Sequence, residues 1–178
     1  MYDSIRNFQD NAPTLGERVY IDPHSVVIGD VTMGDDVSVW PMAVIRGDVN
    51  SICIGNSCNI QDGAILHVTH DSPYNNGGKP MILGQGITIA HKAVLHGCTI
   101  DDYSLIGMGS LILDEVHIAH HVMVAAGSVV TPGKKLESGY LYLGSPAKVH
   151  RKLTSKEIEH LEYSAQHYIR LKNRYINQ

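Results

Sequence analysis

From Ile100 onward an aliphatic residue recurs at every sixth position: Ile100, Ile106, Ile112, Ile118, Val124 and Val130. The same step runs through Ile54, Ile60 and Leu66, and again through Leu83, Ile89 and Leu95. A six-residue period matches neither the turn of an α-helix nor the alternation of a flat strand. It fits a parallel β-helix. Each short strand turns one aliphatic residue inward, the chain rounds a corner, and three strands close a coil of ~18 residues. Coils stack at the ~4.8 Å strand spacing. Small residues often follow the inward one, as at Gly107, Ala119 and Ala125. Between Leu95 and Ile100 the step is five, so one coil is a residue short. The stretch "VVIGDVTMGDDVSVW", from Val26, has the same texture.

Two segments break the rhythm. "VTHDSPYNNGGKP", Val68 to Pro80, is dense in turn formers and must leave the coil as a loop. After "YLYLGSPAKVHRKL" the texture becomes helical. Thr154 and Glu157 form a capping box. Ile158, Leu161, Ala165, Tyr168, Leu171, Tyr175 and Ile176 then follow as an apolar stripe. The 178 residues are thus expected to form a single domain, with a β-helix over 1–152 and an amphipathic helix over 153–178 packed on it. A single phenylalanine among 178 residues agrees with a narrow aliphatic interior.

The net charge is −4 with histidine neutral, and the basic residues are scattered, so a nucleic-acid footprint is excluded. No apolar run reaches the ~18 residues of a membrane span. "MYDSIRNFQDNAPTLG" lacks the apolar segment of a secretory signal, and three cysteines are an odd number. A cytoplasmic protein is expected, with Cys53, Cys58 and Cys98 as reduced, buried thiols.

The 11 histidines can be placed on the repeat. His67 follows Leu66 and His96 follows Leu95, so both take the same outward slot of the hexad. They lie one coil apart once the excursion of the loop is removed, so their rings should stack on one face at strand spacing. That spacing suits two ligands of one metal ion. His91 sits near a corner, and five strand-like residues separate it from His96 by roughly 16 Å. It should therefore reach a different ion. A three-histidine site is completed if His91 comes from a neighbouring subunit of a homotrimer. His24, His117, His120, His121, His150, His160 and His167 are expected to be solvated. His120 and His121, as strand neighbours, should point apart.

"VIRGDVNSICIG", "NIQDGAILHVTH", "LHGCTIDDYSLIGMGS" and "LESGYLYLGSPAKVHR" resemble the γ-class carbonic anhydrases and their bacterial carbonic anhydrase-like and ferripyochelin-binding-like homologues. The likeness runs from about Tyr20 into the C-terminal helix. It implies a left-handed parallel β-helix of hexapeptide repeats with triangular coils, and a trimer in which His67, His91 and His96 hold zinc, with Fe2+ or Co2+ as other family metals. It implies that Arg46 and Asp48 form an ion pair holding the trimer. Gln61 would hydrogen-bond the water that the metal acidifies, with Asn59 and Asp62 as polar neighbours and Tyr163 near the metal. The implied reaction is reversible hydration of CO2 to bicarbonate.

The chain departs from the prototype enzymes at the proton-shuttle glutamates. Val49 stands where one is expected, and the loop after His67 holds no glutamate. His70 is the expected substitute, since the histidine pKa suits a shuttle. Other readings remain open on the sequence. One is an acyl-CoA-dependent acyltransferase, since "GSPAK" also closes hexapeptide-repeat acyltransferases. Another is a hydrolase acting on a different substrate, and a third is a metal-binding trimer or assembly subunit without turnover.

Overall fold

The structure, a computed structural model, describes residues 4–177. The first three residues of the opening stretch and Gln178 lie outside it. The hexad period becomes a left-handed parallel β-helix. Every strand of the coils pairs in parallel with its equivalents one coil away, as Leu105 with Met123 and Leu111 with Val129.

The coil has three faces. Face one carries Asn59–Ile60, Thr88–Ile89, Leu105–Ile106 and Met123–Val124. Face two carries Ile65–His67, Val94–His96, Leu111–Ile112 and Val129–Val130. Face three carries Met81–Leu83, Thr99–Ile100, His117–Ile118 and Lys135–Leu136. Two longer strands, Val26–Met33 and Val44–Ile54, run from face two round the corner into face three. The bend falls where Gly29 adopts φ 78°. A Cβ there would meet the Gly47 carbonyl oxygen at 2.4 Å, so only glycine fits.

The predicted inward residues fill the core. Ile60, Leu66, Ile89, Leu95, Ile100, Ile106, Ile112, Ile118 and Val124 are fully buried. At about 25 cal/mol per Å2 of apolar surface, this column is the main stabilising term, and it needs no aromatic residue. The step of five between Leu95 and Ile100 is absorbed where Thr99 pairs with His117 and Ile82, so the inward register survives the missing residue. The thiols do not all follow the expectation. Cys58 and Cys98 are buried, but Cys53 is exposed. It lies between inward Ile52 and Ile54, and strand alternation turns it outward.

A hairpin, Tyr140–Gly144 with Ala147–Lys152, closes face one. Helix α1 follows, Ser155–Ile176, with the capping box of Thr154 and Glu157 formed. It returns along face one. Leu161 and Ala165 are buried there, and Trp40 packs edge-on to Tyr168 and Tyr175. The expected stripe shifts at its end. Tyr175 and Ile176 are exposed, while Lys172 is fully buried and pairs with Asp36 at 2.9 Å. A lysine takes the inward position because a carboxylate already waits beneath it.

Candidate metal centre

Parallel pairing sets His67 directly opposite His96 on face two. Both residues end their strands at the corner leading to face three. Nδ1 of His67 lies 3.1 Å from Nε2 of His96. The outer nitrogens are both taken by carboxylates: Nε2 of His67 meets Asp48 at 3.0 Å, and Nδ1 of His96 meets Asp114 at 2.6 Å. Arg46 binds the other oxygen of Asp48, and Thr69 donates to the other oxygen of Asp114 at 2.8 Å. The sequence reading gave Asp48 to a trimer ion pair; within one chain it also anchors His67. Asp114 and Thr69 were missed. Asp114 stands one coil beyond, one residue past the slot equivalent to His96, which Leu113 holds, so the hexad register alone does not point to it.

The electrostatics follow from this column. Burial alone would raise the Asp48 pKa, but its bonds from His67 and Arg46 overcome this and hold the carboxyl below its usual range. Burial, helped by the charge of Arg46 and by His96, holds the His67 pKa below its usual value against the opposing pull of Asp48. His67 is therefore neutral at neutral pH, the form that ligates a metal. With each outer N–H donated to a carboxylate, two nitrogen lone pairs face each other. Two Zn–N bonds of ~2.0–2.1 Å at a tetrahedral angle separate their nitrogens by ~3.3 Å. The observed pair lies close to that spacing, so the donors fit such an ion.

His91 has the same construction elsewhere. It occupies the corner between faces one and two, with Nδ1 at 3.0 Å from Asp62. It lines a cavity of about 740 Å3 between face one and α1, together with Gln61, Tyr163, His160 and His167. Gln61 is nearly buried, and its Nε2 donates to Asn59 at 3.0 Å. Asn59 in turn donates to Thr88, which meets Ser164 of α1 at 2.9 Å. Tyr163 lies between the rings of His160 and His167, with the Arg170 guanidinium over its face. His160 and His167 are exposed, as expected of solvated histidines, and they also line the cavity. His70 stands exposed on the loop beside Thr69.

The predicted residues thus form two groups at the two edges of face two. Arg46, Asp48, His67 and His96 lie at one edge, and Asn59, Gln61, Asp62, His91 and Tyr163 lie at or near the other. No three His, Cys, Asp or Glu side chains converge as a metal-holding group within one protomer, among the described residues.

Comparison with known proteins places this architecture. A family model described as bacterial transferase hexapeptide (six repeats) matches residues 12–47. Carbonic anhydrase of Geobacillus kaustophilus is 40% identical, over 93% of this chain and 87% of its own. Gamma carbonic anhydrase 2, mitochondrial, of Arabidopsis thaliana is 42% identical, over 94% of this chain and 60% of its own. The chain belongs to the γ-class carbonic anhydrase family. Another relative of this γ-class chain is Protein YrdA of Escherichia coli, 52% identical over 100% of this chain and 97% of its own. A solved hexapeptide transferase family protein from Anaplasma phagocytophilum superposes on it with a TM-score of 0.90, at 35% identity and over 98% and 99% of the two chains.

Proposed function

We propose that the chain is a γ-class carbonic anhydrase that interconverts CO2 and bicarbonate at composite centres of a homotrimer. The observation that carries this reading is the shared construction and the placing of three histidines. His67, His91 and His96 each give one ring nitrogen to an aspartate, which orients the other as a metal ligand. His24 and His117 pair with Asp22 and Asp101 in the same way, so the reading rests on the placing of His67, His91 and His96 at the two edges of face two and not on the pairing alone.

The trimer is argued from the three faces. Face one is covered by α1. Face three turns Cys53, Ile82, Thr99, His117 and Lys135 outward, a mixed column. Face two turns Val44, Ile65, Val94, Leu111 and Val129 outward, an unbroken aliphatic column. Ile65 remains 43% exposed and Leu111 38%. Two further copies packed about a three-fold axis cover this face. The His91 edge of one protomer then meets the His67–His96 edge of the next.

Zinc is the proposed ion, and imidazoles equally accept Fe2+ or Co2+. Such an ion, when bound, supplies Lewis acidity that makes water a nucleophile near neutral pH, as is general for carbonic anhydrases. The chain's own residues do the rest. Asp48, Asp62 and Asp114 hold protons on the outer ring nitrogens. Gln61, its amide tied to Asn59, keeps Oε1 free to accept a water proton and so to orient that water. Ala90, Leu105 and Met123 give an apolar wall suited to uncharged CO2. For proton export, His160 and His167 on the cavity rim join His70 as candidates, in place of the absent glutamates. No helix among the described residues is long and apolar enough to cross a membrane.

Stopped-flow CO2 hydration on metal-loaded protein tests the reading. His91→Ala and His67→Ala should each be inactive, and mixing the unfolded variants and refolding them together should restore part of the activity. A fully metallated parent with no hydration activity overturns the assignment.

A further inference from the structure

The third edge of the prism, between faces three and one, takes no part in the composite centre. His120 and His121 occupy its corner. Neighbours in a strand would point apart, but this segment is not strand. His121 adopts left-handed backbone, φ 53°, which turns the chain sharply. Both rings swing to one side, with their Nδ1 atoms 2.9 Å apart and their planes at 87°. The expectation that this pair points apart is corrected here.

The corner is built around that pair. Tyr103, one coil earlier, stacks on the His121 ring at 5.7 Å and 19°. Glu162 of α1 approaches Nε2 of His121 at 3.4 Å. Ser138, one coil later, sets its hydroxyl 3.2 Å from Nδ1 of His120. A carboxylate on the far nitrogen of one imidazole, with the near nitrogen turned to a second imidazole, is also the arrangement at His96 and His67.

We propose that this corner is a second metal site, which takes a divalent transition ion through Nδ1 of His120 and Nδ1 of His121, with Ser138 Oγ as a third and weaker donor. Glu162 accepts the Nε2 proton of His121 and leaves its Nδ1 unprotonated. Exposed His120 carries its proton on Nε2 when it ligates. Two imidazoles with a hydroxyl beside them form an N,O donor set that suits Cu2+ and Ni2+, whose affinity for such ligands is high among the divalent first-row ions. The site lies opposite face two, so trimer assembly leaves it open to solvent.

The test is calorimetric titration of untagged, zinc-loaded protein with NiCl2, with CuSO4 in parallel for electron paramagnetic resonance. One additional ion per chain is expected at micromolar affinity, with two-nitrogen coupling in the Cu2+ spectrum. His120→Ala and His121→Asn should each weaken this class at least ~10-fold, asparagine being chosen because it tolerates the left-handed corner. Glu162→Gln should weaken it too, and His67→Ala should leave it intact. Binding only at millimolar metal overturns the proposal. So do titrations of folded His120→Ala and His121→Asn that match the parent.

Discussion

Asp114→Asn is the sharpest probe of the composite centre. In the parent, Oδ1 of Asp114 lies 2.6 Å from Nδ1 of His96, and Oδ2 accepts from Thr69 at 2.8 Å. Asparagine keeps the shape and loses the charge. Because the Thr69 hydroxyl donates, the amide oxygen should settle on that side and the NH2 should face His96. His96 must then accept on Nδ1 and move its proton to Nε2, into the gap facing His67 Nδ1. The lone pair that would ligate is replaced by a hydrogen. Removing an outer carboxylate typically costs 10–100-fold in metal affinity, about 1.4 to 2.8 kcal/mol. Asp114→Asn should reach the upper end and Asp114→Ala the lower, since alanine leaves the tautomer free. Zinc affinity is read by chelator competition, with circular dichroism and gel filtration to establish that both variants remain folded and assembled. If folded Asp114→Asn binds zinc within a factor of two of the parent, His96 is not a ligand oriented by this carboxylate.

Two further outcomes follow from groups that are not among the proposed ligands. The Asp36 carboxyl is held below its usual range by Arg18 and, more weakly, by Lys172, against the opposing effect of burial. A folded pKa below the unfolded one gives stability that is present above about pH 4 and lost as pH falls through the folded value. Thermal midpoints should decline on acidification, and Asp36→Asn should flatten that decline while costing about 3 kcal/mol at pH 7 by leaving the buried Lys172 ammonium without its anion; an unchanged pH profile refutes it. The Cys58 and Cys98 thiols are pushed up to about 12, chiefly by burial, whereas Cys53 is exposed. A thiol reagent at pH 8 should label one cysteine per native chain and three in urea, and rapid labelling of a second native thiol contradicts the packing.

The fold was legible because a β-helix writes its core in sequence at a fixed step. One inward residue per hexad identified Leu66 and Leu95 as equivalent, and from them the pairing of His67 with His96. What stayed hidden was hidden for two reasons. Partners of the histidines were sought among histidines, although Asp114 lies one coil and one residue from His96 and Asp62 one coil plus the loop from His91. Corners, moreover, do not obey strand alternation. His121 and Lys92 both take positive φ, and no hexad rule says which way a neighbouring side chain then turns. The C-terminal helix was legible at its cap, where two side chains within four residues decide the geometry. Its far end was not, since burying Lys172 depends on Asp36, which is remote in sequence.

The distribution of donors has a consequence for assembly. On the proposed reading each chain carries two ligands at one edge of face two and one at the other. A lone protomer offers an ion only the pair His67 and His96, and the third ligand arrives with the neighbour. Metal binding and trimer formation therefore share one free energy, and each strengthens the other by the same factor. The aliphatic column of face two supplies the part of association that does not depend on metal. Chelation should accordingly shift the trimer toward smaller species at low protein concentration and leave it intact at high concentration, a dependence that sedimentation across a dilution series measures directly. A trimer whose dissociation constant is the same with and without bound metal would mean that the three histidines do not share an ion, however well each is held.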